Sequence, residues 1–536
     1  MVAKPELSRT GPGWWQLLLL VLLGVAVYGR VGGFEYSRTD DFGYVLLNGH
    51  VRNGLGLESL RWAFGTLQMS NWHPLTWISH MVDVSLFGLA PGPRHIVNAV
   101  FHVMNSLLLW RLAARLLRDA DAALLVAALF LVHPLHVESV AWIAERKDVL
   151  CAFFFLLACL AQLDYSAGRT RGAWLRVQCF GVLALLSKPM AVTLPVVLVL
   201  LDLWPSLRPA QGSGRTGAAL LRAYMGVIPD KLPLFLAGTG VAALTILAQG
   251  HAIAPLEQVS VMERLSNVPV ALATYLRELV LPLGLAAFYP FRVPDLLREV
   301  LPSVLLVGGI SVACWRLRVK CPWMLWGWMW FLVTIAPVSG LVQAGSQSHA
   351  DRYMYLPSIG LLLWAGAVFA GLRQHQVRYA RVLGCVLVVF HALLGWIQVG
   401  YWRDPAMIYG RVLDVSGEHY TVSVGLTAYC LERGATAEAY RHALRAIELA
   451  PGQAEVYANL GFVALQTQDW PLAEKSYRTA IGISPDDAAS INNFGLALEK
   501  QGRLPEARAA FRRALELDPA MPGFSRNLNR VNGADP

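Results

Sequence analysis

The chain has 536 residues, 55% of them hydrophobic and 15% charged, with Lys+Arg 45 against Asp+Glu 36 and a formal net charge of +9. Soluble domains are about 45–50% apolar and about 25% charged, so a soluble enzyme, a disordered scaffold and a disulfide-stapled secreted module are excluded. What remains is a multi-span membrane protein with room for a modest soluble appendage. The basic residues cluster in short loops between apolar runs, a pattern of orientation in a bilayer rather than of nucleic-acid binding.

Apolar runs fall near 14–29, 96–110, 122–132, 149–163, 177–187, 189–201, 232–248, 301–315, 323–338, 356–371 and 382–400. A span takes about 20 residues, so the shorter runs must extend into their flanks. The first follows Lys4 and Arg9 with no small-residue cleavage site after it, and reads as a retained anchor. The stretch 266–284 is apolar but carries Arg277, Glu278 and Pro282. A charged pair at mid-span is costly, so it reads as an interfacial or re-entrant helix. With the N-terminus inside, the inside loops hold Arg111, Arg115 and Arg118; Arg169, Arg171 and Arg176; Arg208, Arg215, Arg222 and Lys231; Arg316, Arg318 and Lys320; and Arg373, Arg378 and Arg381. Every alternate loop is then basic, and eleven crossings place the C-terminus outside, in the periplasm of a bacterium. The seven cysteines contain no CxxC pair and supply neither a disulfide framework nor a zinc site.

After about Tyr401 charge rises and long apolar runs stop. Pro451, Pro485 and Pro519 recur every 34 residues, as do Ala439, Ala473 and Ala507, and Ala446, Ala480 and Ala514. Gly461 and Gly495 keep the period, and Thr427 breaks it. Small residues let two helices approach and proline ends the second, the pattern of tetratricopeptide repeats (TPRs). Three repeats are expected at 418–451, 452–485 and 486–519, followed by a capping helix.

Chemistry-bearing residues gather in the loops assigned to the outer face. The first outer loop, 32–94, holds the adjacent acids Asp40 and Asp41. Such a pair can accept a proton from a hydroxyl, and it is compatible with a divalent cation. His95, Asn98, His102 and Asn105 are spaced to share one helical face, suited either to a wet cavity or to interhelical hydrogen bonding. His133, His136 and Glu138 are metal ligands in type, but Pro134 disturbs the helix that would align them. Arg146 and Lys147, then Lys188 in the Ser187-Lys188-Pro189 turn, then Arg352 with Tyr353 and Tyr355, supply cations and hydroxyls on the same side. These cations can neutralise a phosphate leaving group.

The acidic pair after the first span, the many spans and the later basic residues resemble the C-type glycosyltransferases. Asn71-Trp72-His73-Pro74-Leu75-Thr76, Leu86-Phe87-Gly88-Leu89, His95-Ile96-Val97-Asn98, His133-Pro134-Leu135-His136-Val137-Glu138-Ser139-Val140 and Arg352-Tyr353-x-Tyr355-Leu356-Pro357 narrow the likeness. These runs resemble the transmembrane-and-TPR protein O-mannosyltransferases and their bacterial relatives. The likeness runs from Asp40 to the repeats. His73 stands where eukaryotic relatives often have Arg, and three repeats are few for that family.

The resemblance implies an all-α, GT-C-like polytopic bundle of eleven spans over 1–400, a linker at 401–417 and a TPR α-solenoid over 418–536. It implies an inverting transferase in the bacterial inner membrane. A sugar would pass from a polyprenyl-phosphate donor to a hydroxyl acceptor, a protein Ser or Thr, in the periplasm. One of Asp40 and Asp41 would be the base and the other would orient the acceptor or sugar. Arg146, Lys147, Arg352 and Lys188 would bind the donor phosphate. His73, His95, Asn98, His102, His133, His136, Glu138, Tyr353 and Tyr355 would line the cavity, and the TPR groove would hold the acceptor protein. Two other classes compete. A non-enzymatic TPR scaffold for envelope or pilus assembly needs one span rather than eleven. A transporter would place ionisable groups near the midplane.

Overall fold

The computed structural model describes residues 13–37, 39–207, 225–250, 259–341, 345–519 and 521–533. Lys4, Arg9, Arg208, Arg215 and Arg222, used above for orientation, lie outside the described residues. The described chain is built of helices, with one antiparallel pair of short strands, Tyr289–Pro290 against Gln347–His349. It divides into two compact units, 1–404 and 405–536.

Among the described residues of the first unit, six helices are long and apolar enough to cross a membrane: Trp14–Gly33, Pro91–Leu117, Ile143–Gly168, Met225–Ala248, Leu296–Leu317 and Val377–Gly400. Ala120–Val132 with Pro134–Ala141, bent by 54° at His133, makes a seventh if the bent pair is one span. The other four of the eleven expected crossings are helical but weaker. Pro189–Trp204 and Pro322–Val338 are short apolar helices. Arg171–Ser187 and Ser358–His375 each carry basic residues at one end. Close approach of two of these helices is enforced by glycine: a Cβ added at Gly327 would lie 2.4 Å from the Gly360 carbonyl oxygen. The ambiguous stretch forms the helix Val261–Val280, opened by a capping box between Ser260 and Glu263. It is amphipathic, burying Arg264, Asn267, Leu272, Tyr275 and Glu278 while Val261, Met262 and Leu265 are exposed. That two-faced pattern suits the interface better than a crossing.

The second unit is three helix pairs: Tyr420–Glu432 with Thr436–Leu449, Ala454–Gln466 with Trp470–Ile483, and Ala488–Lys500 with Leu504–Leu517. Pro522–Asn532 caps them. The alanine columns are the crossing points, with all six alanines at 0% exposure. A Cβ at Gly461 would meet the Tyr477 ring at 2.8 Å, and one at Gly495 would meet Phe511 at the same distance. The 34-residue period thus records one helix-packing contact repeated along a solenoid. Part of the expected linker is itself helical: Pro405–Ser416 belongs to this unit, with Tyr409 against Gly425.

Candidate functional site

The acidic pair sits just past the first span, and its two members have different surroundings. Asp41 is fully buried; Oδ2 accepts from the Ser37 backbone N–H and Oδ1 from the Ala144 N–H, both at 2.8 Å. It therefore ties its own loop to the turn that precedes the helix Arg146–Gly168. Burial pushes the Asp41 carboxyl up to about 7; the hydrogen bonds from Ser37 and Ala144 oppose the rise, and the charge of Asp40 adds to it. Asp40 is only partly buried. One turn on, Tyr44 stacks on Trp77, with ring centroids 4.7 Å apart, and on His73 at 5.5 Å. Burial raises the Tyr44 hydroxyl, Lys147 lowers it, and Asp40 and Glu145 raise it further, which places all three charges around one phenol.

Beside this loop lies a buried cluster of ion pairs. Lys147 Nζ is 2.9 Å from Glu145 and 3.5 Å from the Tyr44 hydroxyl. Lys188 Nζ is 2.5 Å from Asp148 and 3.6 Å from Glu145. Arg352 Nη1 donates to Glu138 at 2.5 Å, its backbone N–H donates to the same carboxylate at 2.8 Å, and its Nε lies 3.4 Å from Glu145. Its guanidinium also lies over Trp142, 5.4 Å from the ring centroid. Against the penalty of burial, Glu138, then Tyr353 and Glu145, hold Arg352 charged. The turns are pinned from outside the cluster: Thr76 donates to the Ser187 carbonyl at 2.8 Å, and the Tyr289 hydroxyl donates to Asp351 at 2.8 Å. The first loop thus reaches this cluster through Tyr44 and Lys147, and cations from three later segments share Glu145.

Several expected site residues do other work. Arg146 is fully buried: it donates to Asp83 (2.8 Å), Ser79 (2.7 Å), the Arg94 carbonyl (3.1 Å) and Asn98. Its guanidinium is spent inside the protein. His102, His133, His136 and Tyr355 surround the helix break rather than an open cavity. A proline break frees carbonyls that apolar surroundings cannot solvate. His136 Nδ1 pairs with the Phe130 carbonyl (2.7 Å) and His102 Nε2 with that of Leu131 (2.9 Å). His102 Nδ1 meets the Tyr355 hydroxyl at 2.7 Å, and His133 Nε2 meets the Leu279 carbonyl at 2.9 Å. Asn98 donates to the Trp142 carbonyl at 2.9 Å, and His95 meets the Glu35 carbonyl at 3.2 Å. The polar face of the helix Pro91–Leu117 is therefore a brace for the broken span. Tyr353 remains half-buried, its hydroxyl accepting from Gln347 at 3.0 Å. His73 is fully buried, with neither ring nitrogen hydrogen-bonded. Among the described residues no group of three or more His, Cys, Asp and Glu side chains is placed to hold a metal ion.

Glu145, Tyr44 and Asp83 were not singled out from sequence. Glu145 and Asp148 are three apart around a helix start, a spacing that puts both on the face that meets the cations. That signal was present in the Glu145-Arg146-Lys147-Asp148 run.

Residues 76–212 match the family described as dolichyl-phosphate-mannose-protein mannosyltransferase, and 452–520 match a tetratricopeptide repeat family. A protein O-mannosyl-transferase of Caenorhabditis elegans is 23% identical over 464 residues, covering 84% of this chain and 64% of its own length. The mouse protein O-mannosyl-transferase TMTC4 is 24% identical over 484 residues, covering 77% and 64%. Drosophila melanogaster Tmtc2 is 33% identical over 165 residues, covering 30% and 17%. The chain thus spans less than two thirds of the length of the first two. Among solved structures, the Arabidopsis OM64 TPR domain is 23% identical with a TM-score of 0.21, over 22% of this chain and 96% of that one. Both the membrane portion and the repeats are similar to the transmembrane-and-TPR protein O-mannosyltransferases.

Proposed function

From this likeness we propose that the chain is a multi-pass membrane glycosyltransferase. It would move mannose or a related sugar from a polyprenyl-phosphate donor to a serine or threonine hydroxyl of a protein, on the periplasmic face of a bacterial inner membrane. The observation that supports the reading is the Asp41 bridge from Ser37 to Ala144, which holds the acidic loop at the turn where Tyr44 meets Lys147, the lysine that shares Glu145 with Lys188 and Arg352. Asp40 takes the proton of the acceptor hydroxyl. The freed oxygen bonds to the anomeric carbon as the bond from that carbon to the phosphate oxygen breaks, with inversion, and the departing electron pair remains on the phosphate. The cations stabilise that charge in a poorly solvated site, where such stabilisation is strongest. The lipid tail of the donor stays in the bilayer throughout. The repeats supply a protein-binding surface for the acceptor on the same chain.

Purified full-length protein in lipid nanodiscs, given polyprenyl-phosphate mannose and candidate acceptor proteins, is expected to yield a hexose adduct by mass spectrometry. Absence of transfer across a panel of polyprenyl-phosphate sugars, with the protein folded, would remove the proposal.

The rate should depend on pH through Asp41. Ionised, it accepts with both oxygens; protonated, one oxygen becomes a donor facing a backbone N–H. Initial rates are therefore expected to rise with pH and to level off above about 7. Stability moves the other way. The native carboxyl holds its proton more tightly than the unfolded one, whose value is 3.8, so its contribution is complete below 3.8 and is lost as pH rises through about 7. Rates and unfolding midpoints measured over the same pH range check both signs; a flat rate profile through neutrality contradicts the assignment.

A further inference from the structure

We propose that the carboxylate of Glu145 occupies the seat of the donor phosphate and must leave it for a phosphate ester to bind, so that Glu145 sets the affinity and timing of donor entry. The inference rests on the transferase reading above. Lys147, Arg352 and Lys188 approach Glu145 at 2.9, 3.4 and 3.6 Å. They come from a helix start, a turn before a helix and a tight interhelical turn. Of the three acids here, Glu145 alone reaches all three cations. Glu138 pairs with Arg352, side chain and backbone, and Asp148 pairs with Lys188 and the Ser139 hydroxyl.

The seat is too large for what fills it. Charge-assisted N–H···O bonds run to about 2.7–2.9 Å, so two of the three contacts are long. Oε2 of Glu145 is buried, at 2% residue exposure, and within hydrogen-bond distance it has no cation: the Lys188 ammonium stands 3.6 Å away, with the Asp148 side chain beside it. Buried polar atoms are rarely left unsatisfied, and such atoms in functional sites call for a missing partner. A tetrahedral phosphate ester carries more acceptor oxygens, more widely spread, than a planar carboxylate. Glu145 ends the short turn Ile143–Glu145 with which the crossing helix Ile143–Gly168 begins, just after the extended residue Trp142. Exchange of one monoanion, the carboxylate, for another, the phosphodiester, leaves the charge of the seat unchanged.

The test is calorimetric binding of two probes, inorganic phosphate and a short-chain prenyl phosphate, to the full-length protein. Glu145→Gln is expected to bind the prenyl phosphate at least about tenfold more tightly than the wild type, because the seat gains one net positive charge. Glu138→Gln, equally buried but touching one cation, is expected to show no such gain. If Glu145→Gln does not fold, Glu145→Asp, which retracts the carboxylate by one methylene, is expected to show a smaller gain in the same direction. Unchanged or weaker binding in whichever of the two is folded overturns the proposal. Equal affinity of the two probes overturns the lipid donor as the occupant. A binding gain without any sugar transfer rejects the transferase reading alone, and transfer without the gain rejects this inference alone.

Discussion

Asp40→Asn is expected to slow sugar transfer by about 10²–10⁴-fold, the usual worth of a positioned general base, while the unfolding midpoint stays put. The two adjacent aspartates cannot both serve as base in the geometry observed. Asp41 has 0% exposure and both its oxygens are taken by backbone N–H groups, whereas Asp40 is partly open and its charge is felt by Tyr44. Asp41→Asn should therefore behave differently. Its new NH₂ would face the N–H of Ser37 or of Ala144, leaving a buried donor without an acceptor at a cost of about 1–3 kcal/mol. Activity would fall together with thermal stability, because the loop that carries Asp40 loses its anchor. Paired measurements of turnover and unfolding decide the matter. If Asp40→Asn keeps full activity and Asp41→Asn loses it without losing stability, the roles are reversed.

Arg146→Met is expected to destabilise the membrane unit by about 3–5 kcal/mol, since removing one partner strands a buried charge. Asp83, with 3% exposure, would lose its ion pair, and Asn98 and Ser79 would lose their donor. The double replacement Arg146→Met with Asp83→Leu is expected to recover most of that loss, because an apolar pair of similar volume often equals a buried ion pair. Denaturant titrations of both single variants and the double variant in detergent give the coupling directly. A single Arg146 variant of full stability that fails only in donor binding would restore the phosphate-binding role expected from sequence.

Arg146 and Lys147 show why the site was only partly legible. They are neighbours in sequence and nearly alike in chemistry, yet a helix turns about 100° per residue. One therefore points into the bundle at Asp83 and the other to Glu145 and Tyr44. Nothing in the local text distinguishes them. The histidines make the same point. His102 lies on a face suited either to a wet cavity or to interhelical hydrogen bonding and His136 is a metal ligand in type; the break at Pro134 makes both of them partners of freed carbonyls, the hydrogen-bonding outcome. Glu145 was visible as part of a charged run, but its hold on three cations depends on Lys188 and Arg352, far away in the chain.

The amino-acid sequence alone determined the membrane character, the acidic pair, the cation-bearing loops, the family likeness and the repeats. These are compositional or local: a 34-residue period is one packing contact written again and again, and apolarity needs no partner to be read. Which charges face one another, which are consumed as structure, and how many apolar helices run long enough to cross were decided by tertiary structure. Those outcomes depend on helix rotation, on one proline break and on contacts between segments far apart in the chain, such as Arg352 with Glu138, 214 residues away. A charge buried in a bilayer protein takes its role from the partner that reaches it, and that partner is chosen in space.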